Sequence, residues 1–292
     1  MAFLSRFKSL LSSRKLNVSS RFALLREAIS GTMSGFYMAR DLRDGKVVGL
    51  KILDPEKTAF FQSRFTGLNK PTEGEIAVQL NHPRIVKTFE HGVTVHGEQY
   101  LVMEFLSGPG MNSLLVGRDK RLDGNRVRYI RQTAEAISAV HAAGYIHRDI
   151  CPRNLILVDE SETADLKLID FGITVPATKE FMQPGNRTGT PNYMAPELVR
   201  RRATDQRLDI FAFGVTAYEI CTFELPWMRK ATGMAAMSHD KPPTDIRHYR
   251  PQINPVLAEA IHWCIEPDVN KRCGSIDALL EKIHDVRHDD RE

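Results

Sequence analysis

No two of the four cysteines, Cys151, Cys221, Cys264 and Cys273, stand in a Cys-x-x-Cys pair. Four thiols without such a pair, in a chain this long, point to reduced cysteines in place of a disulfide frame or a zinc site. No apolar run approaches the roughly 18 residues that a membrane-crossing helix needs, and residues 1–20 have neither the apolar core nor the cleavage pattern of a signal peptide. Charge of one sign is not concentrated either. The 40 Lys and Arg are interspersed with 36 Asp and Glu, leaving a net charge of +4, which gives nucleic acid little to bind. These absences predict a soluble, cytoplasmic protein with no nucleic-acid partner and no transmembrane segment. What is present is a hydrophobic share of 42% over 292 residues, enough to bury the core of one large domain or two modest ones.

Residues 1–20 carry Arg6, Lys8, Arg14 and Lys15 with no acid, while Phe3, Leu4, Phe7, Leu10 and Leu11 would share one helical face. Such a segment suits an anionic membrane surface or a partner, and equally a frayed end or a helix packed on its own domain. From Phe22 the pattern becomes strand-like: Phe22 to Ala28, a glycine-containing turn at Ser30 to Gly35, Phe36 to Asp41, an Asp44-Gly45 hairpin turn, and Val47 to Leu53. Lys51 sits inside the last of these and needs a partner if buried; on an edge strand it would be an ordinary exposed charge. A helix follows Pro71, with Glu73, Ile76, Ala77 and Leu80 on one face. Glu75 lies about 200° round that helix from Glu73, so only one of the two can face Lys51, and Glu73 shares the apolar side. Gln99 to Phe105 is another apolar strand, ended by Ser107-Gly108-Pro109-Gly110. The spacing then predicts a helix over 125–143 with Gly144 at its end. Asp209 to Cys221 is apolar nearly all round, which implies complete burial. Asn254-Pro255 and Ser275 open two further helices.

Between these helices runs Tyr-Ile-His-Arg-Asp-Ile-Cys-Pro-Arg-Asn-Leu-Ile-Leu, Tyr145 to Leu157, followed by a second short strand, Leu166 to Ile169, that ends in Asp170-Phe171-Gly172. Two carboxylates, Asp149 and Asp170, and the amide of Asn154 are the groups that magnesium and a hydroxyl nucleophile require. The stretch resembles the catalytic loop and the metal-binding loop of protein kinases, His-Arg-Asp-x-x-x-x-Asn and Asp-Phe-Gly. Further features keep the family's order. Val48-Gly49-Leu50-Lys51 is similar to Val-Ala-Ile-Lys, and Asn81-His82-Pro83-Arg84-Ile85-Val86 to the turn after the family's glutamate-bearing helix. Thr188-Gly189-Thr190-Pro191-Asn192-Tyr193-Met194-Ala195-Pro196-Glu197 is similar to the closing motif of an activation loop. The glycine loop departs: on Gly-x-Gly-x-x-Gly-x-Val the positions read Ile29, Gly31, Ser34 and Phe36, with Gly35 displaced by one.

The resemblance implies an α+β bilobal protein kinase fold with ATP between the lobes: a small lobe of antiparallel sheet and one main helix at 21–106, a larger helical lobe at 107–292, and a basic extension at 1–20. It implies ATP and Mg2+ as cofactors, with Asn154 and Asp170 holding the metal. Asp149 would be catalytic. Ile29, Gly31, Ser34, Gly35, Phe36, Lys51, Glu73, Met103, Glu104, Leu106 and Ile156 would bind the nucleotide, Met103 beside the base and Glu104 and Leu106 through their backbone. Asp209 would tie down the catalytic-loop backbone and Arg272 would pair with Glu197. Small-molecule phosphotransferases lack the Thr188 to Glu197 closure, so a protein substrate is implied. Arg153 resembles the tyrosine-kinase pattern, but Thr190 occupies the serine/threonine position, and serine/threonine specificity is the reading chosen. Cys151 stands where those kinases have lysine, so Arg153 is expected to supply the missing cation, with Thr190 at the aspartate. Arg148 and Thr188 would be regulatory, through a phosphate on the loop. The alternative is a pseudokinase-like binding module, motivated by the altered glycine loop, Cys151, Ala77 and Thr88. Five polar groups kept in one place, Lys51, Glu73, Asp149, Asn154 and Asp170, favour an enzyme.

Overall fold

A computed structural model describes residues 15–30, 34–184, 187–227 and 235–290. The chain divides into two compact units, one running to Asn81 and resuming over Val86–Leu106, the other comprising His82–Ile85 and Ser107–Glu292. Strands and helices together give the α+β class that the sequence predicts.

The first unit is built on five strands in the order β1-β2-β3-β5-β4: β1 (Phe22–Ser30), β2 (Ser34–Asp41), β3 (Val47–Leu53), β4 (Thr88–Val93) and β5 (Gln99–Glu104). Every neighbouring pair is antiparallel. Asp44 and Gly45 do turn β2 into β3, with Gly45 in the left-handed region at φ 74°, where glycine carries no Cβ penalty. Alternation along the strands puts Phe22, Ala39, Val48, Leu50, Tyr100 and Val102 into one core cluster on one side of the sheet. Leu16 and Val18 pack against that cluster as well. The expected extension is therefore shorter than residues 1–20, because Leu16 and Val18, the latter opening α1 (Val18–Arg21), have a core to join. Residues 1–14, including the apolar face expected there, lie outside the described residues.

Two helices complete this unit. In α2 (Pro55–Gln62), which the sequence reading passed over, Asp54 accepts from the Glu56 and Lys57 N–H groups and Pro55 occupies the first turn. The helix after Pro71 is short, α3 (Glu73–Ala77), with a capping box between Thr72 and Glu75. Beyond Ala77 the backbone tightens to three-residue bonds, Gln79 N–H to Ile76 and Leu80 N–H to Ala77. Glu73, Ile76, Ala77 and Leu80 are all buried.

The second unit is mostly helical, with α4 (Met111–Val116), α5 (Arg126–Ala142), α6 (Pro196–Val199), α7 (Arg207–Thr222), α8 (Pro255–Cys264) and α9 (Ile276–Lys282). Two short strand pairs carry loops between them: β6 (Tyr145–Ile146) with β9 (Val175–Pro176), and β7 (Leu155–Leu157) with β8 (Leu166–Leu168). As the nearly all-round apolar pattern of 209–221 predicts, α7 is buried along nearly its whole length. A Cβ on its Gly214 would lie 2.6 Å from Cys264 Cβ, so the two helices meet backbone to side chain at a glycine. His82–Ile85 belongs to this unit: Arg84 pairs with Glu135 at 3.1 Å and with Asp165 at 2.6 Å, and Ile85 bridges Leu168. Among the described residues no helix is long and apolar enough to cross a membrane.

Candidate active site

The functional side chains predicted from sequence fall into two groups, one in each unit. In the first, the register of β3 against β2 and β5 places Lys51 on the side of the sheet away from the core cluster, opposite Phe36 and Leu101. Its ammonium lies 2.6 Å from Glu73 Oε1, and the two residues are only 8% and 6% exposed. A buried lysine tolerates its site only with such a partner. Glu75 cannot compete, because its carboxylate is turned back onto Thr72, accepting from the backbone N–H at 2.8 Å and the hydroxyl at 2.9 Å. Gly74 sets the approach: a Cβ there would lie 2.5 Å from Cβ and Cγ of His91 on β4. Helix α3 thus docks on the strand with no side chain between.

The remaining positions of this group surround Lys51 along the strands. Ser34, Gly35 and Phe36 start β2, with Gly35 paired to Ser30 and Phe36 to Ile29. Gly31 falls outside the described residues. Met103 is buried beside Gly49. The Glu104 N–H is committed to the Lys87 carbonyl at 2.9 Å, so a base could be met only through its carbonyl. Leu106 ends the unit.

In the second unit the catalytic loop is held from beneath by Asp209, the first acidic residue of α7. Its carboxylate accepts the N–H groups of His147 and Arg148, both at 2.8 Å, and His141 Nε2 at 3.0 Å. Burial alone would raise the Asp209 pKa, but the hydrogen bond and charge of His141, with the backbone donors, outweigh it and lower it. Arg148 adopts φ 72°, a left-handed conformation that a non-glycine residue keeps only where its surroundings fix it. His141 is the functional residue that the sequence reading missed. It lies in the last turn of α5 without a motif, and its partner is 68 positions away.

So anchored, the loop presents Asp149. Its Oδ1 accepts the Thr190 N–H at 2.8 Å and the Thr190 hydroxyl at 2.7 Å, and its Oδ2 accepts Asn154 Nδ2 at 3.0 Å. The same Asn154 nitrogen also donates to the Asp149 carbonyl at 2.7 Å, which leaves the amide oxygen for another partner. Asp170 is exposed at φ 66° and accepts the Gly172 N–H, while the Phe171 ring is buried edge-on to His147 at 5.3 Å. The oxygens of Asn154 and Asp170 are hard donors of the kind magnesium takes, completed elsewhere by water and phosphate; among the described residues no cluster of three or more His, Cys, Asp or Glu suits a metal.

Around Asp149, Arg153 is exposed and donates from Nη2 to the Thr190 hydroxyl at 2.9 Å. Cys151 is buried with its sulfur 3.7 Å from the same hydroxyl; burial first and the Asp149 charge second push the thiol up to about 11, so it stays neutral. Gly189 lies at φ 123°, and a Cβ there would come within 2.7 Å of the Arg148 carbonyl, so the Thr188-Gly189-Thr190 turn reaches the catalytic loop only as glycine. The Thr188 hydroxyl oxygen is buried without a hydrogen-bond partner among the described residues, and Arg148 is 5% exposed. Glu197 and Arg272 form a buried fork at 2.7 and 2.9 Å, and Arg272 also donates to the Arg207 and Glu266 carbonyls. Ile156, on β7, is half-buried.

The sequence profile described as "Protein kinase domain" matches residues 25–283. The chain is 29% identical over 265 residues to serine/threonine-protein kinase pkn3 of Myxococcus xanthus, covering 88% of this chain and 48% of that protein. It is 32% identical over 268 residues to serine/threonine-protein kinase Pkn1 of the same organism, covering 90% and 38%. It is 31% identical over 243 residues to serine/threonine-protein kinase PknA of Mycobacterium tuberculosis, covering 78% and 53%. The chain spans about half the length, or less, of these relatives.

Proposed function

Because the chain belongs to the protein kinase domain family, we propose that it transfers the γ-phosphoryl group of ATP to serine or threonine hydroxyls of protein substrates. The observation that carries this reading is the Asp149 carboxylate, anchored through Asp209, oriented by Asn154 and touched by the Thr190 hydroxyl. A general base must be held within hydrogen-bond reach of the proton it takes, and Asp149 is so held. In this reading the substrate hydroxyl gives its proton to Asp149 as its oxygen attacks the γ-phosphorus, and the bond to the β,γ-bridging oxygen breaks. Lys51, fixed by Glu73, binds the nucleotide phosphates, and Arg153 faces charge gathering on the transferred group. Bound through Asn154 and Asp170, Mg2+ would neutralise phosphate charge. Thr190 at the base supports serine/threonine over tyrosine specificity. The reading takes residues 21–106 and 107–292 as the small and large lobes of one catalytic domain.

The test is transfer of label from radioactive ATP to a general protein substrate by the purified chain. Asp149→Asn, Lys51→Ala and Asp170→Ala should each abolish transfer while leaving the circular dichroism spectrum and melting transition in place. Wild-type-like turnover in any of them would sink the assignment of that residue.

Regulation through Thr188 and Arg148 belongs to the same reading. A phosphate brings roughly −1.5 to −2 charge and oxygens that pair with arginine, and the Thr188 hydroxyl has no bond to lose in the described structure. Active protein should carry phosphate on Thr188 by mass spectrometry, and Thr188→Ala should lower activity. Full activity in that variant, with Thr188 unmodified in the wild type, would show that the loop orders itself.

A further inference from the structure

Away from the loops that carry the catalytic groups, α8 and α9 leave an open groove of about 520 Å³ between them, lined by Glu259, Trp263, Ala278, Glu281 and Lys282. Helical spacing brings these residues there. Glu259 and Trp263 stand four apart on α8, and Ala278 stands three before Glu281 and four before Lys282 on α9, so each set shares a face. Lys282 reaches across to Glu259 at 3.3 Å. The rest of the groove is unmatched. Ala278 is exposed and offers a single methyl, too short to cover the half-buried indole of Trp263. That indole is pinned by one edge, its Nε1 donating to the Lys271 carbonyl at 3.1 Å. Among the described residues no ring or cation stacks on Trp263, and no group bonds the Glu281 carboxylate.

We infer that this groove takes an arginine side chain from a partner polypeptide, the guanidinium lying on the face of Trp263 and forking to Glu281. The inference goes beyond the kinase reading and stands without it, since α8 and α9 carry none of the catalytic groups. Charge decides the occupant. With Glu259 matched by Lys282, one carboxylate is left over. An anionic partner would be repelled by it, and an apolar partner would bury it without a counter-charge. Tryptophan is the ring that attracts a cation most strongly. A guanidinium is flat, stacks on an aromatic face and donates two parallel bonds to a carboxylate, whereas an ammonium is a strongly hydrated point charge. Because the indole is already held at its N–H, it has little freedom to lose on binding, as suits an anchor residue of an interface.

The chain has two tryptophans, so the experiment follows two indole N–H signals of the isotope-labelled full chain by NMR, assigned with Trp263→Phe. The probe is the peptide acetyl-Gly-Arg-Gly-Arg-Gly-amide, which has no hydroxyl to phosphorylate. Trp227 is 5% exposed, with its N–H on the Lys241 carbonyl, and serves as the internal reference. The Trp263 signal should move and saturate while that of Trp227 stays. Glu281→Gln should weaken binding by about two- to fivefold, and Ala278→Leu should abolish it by filling the groove. The lysine counterpart of the peptide should bind more weakly than the arginine one. Both variants change exposed positions and should keep the wild-type melting temperature; were Ala278→Leu to lose the fold, Glu281→Gln still decides. A Trp263 signal that does not move, equal affinity for the lysine peptide, an equal shift with an all-glycine peptide, or unchanged affinity in Glu281→Gln would each overturn the inference. A Trp263 signal that moves when the chain is concentrated alone would give the groove to a second copy and overturn it as well.

Discussion

At the scale of single residues, the proposed function has Arg153 supply the cation that Cys151 cannot. Cys151 is a neutral buried thiol, whereas the Arg153 guanidinium is joined to Asp149 through one hydroxyl, that of Thr190. Arg153→Ala should therefore lower kcat by on the order of 10² to 10³, the scale of losing one charge-stabilising donor, with little change in nucleotide affinity. Cys151→Lys should partly rescue it by restoring a cation two positions earlier in the loop. Unchanged kcat in Arg153→Ala, measured at saturating ATP, would show that Lys51 and the metal handle the charge. The types of these residues were legible in the sequence; their contacts were not. That Thr190 would bridge Arg153 and Asp149 depends on the chain returning after about forty residues to the same loop, held there by a glycine at φ 123° against the Arg148 carbonyl.

At the scale of elements, two helices are placed by glycines at their closest approach. Gly74 lets α3 settle on His91, and Gly214 lets α7 settle on Cys264. Carbon atoms prefer separations of about 3.5–4.0 Å, so Gly74→Ala must push α3 back by about 1 Å from β4. Glu73, the first residue of that helix, would be carried away from Lys51. A displacement of that size in a positioning element costs roughly 10²-fold in activity, and kcat/KM in Gly74→Ala should fall by about that much. His91→Gly removes the blocking side chain and should recover part of the loss in the double variant. No recovery, with a melting temperature equal to that of the single variant, would show that Gly74 serves the helix itself. Neither contact is legible from sequence, because a glycine in a helix reads only as a weak helix former until its neighbour is known. Helix α3 also proved shorter than its periodic pattern, since the i, i+3, i+4 spacing persists through a tightened turn that no longer makes four-residue bonds.

At the scale of the whole molecule, stability should fall in acid, and one group marks the effect. His239 is 1% exposed, with Nδ1 donating to the Met194 carbonyl at 2.7 Å and the rings of Phe211 and Trp227 against it. Burial lowers its pKa from 6.5 to about 4. The unfolded chain therefore binds a proton that the folded chain refuses. Its contribution is fully present above pH 6.5 and lost as pH falls towards 4, amounting to about 3 kcal/mol at most. His239→Asn keeps a donor for Met194 without titrating, so its melting temperature should drop less between pH 7 and 4.5 than that of the wild type. Parallel curves for the two chains would refute the assignment. Asp209, ionised and buried, adds to the same acid sensitivity in both chains and so cancels in the comparison.

The sequence by itself determined the family, the longer strands and helices that frame the site, and the chemical types there. Those are carried by local patterns: alternation in the strands, an apolar α7, His147 to Asn154, Asp170 to Gly172, and Thr188 to Glu197. It also separated Glu73 from Glu75, because a helix fixes their relative direction. Only the tertiary structure decided that Leu16 and Val18 join the first core, that His82–Ile85 packs with the second unit, and that His141 stands under the catalytic loop. Each of these is a contact between residues distant in the chain. A local pattern fixes which way a side chain points along its own element, while what it meets there is set by the packing of the others.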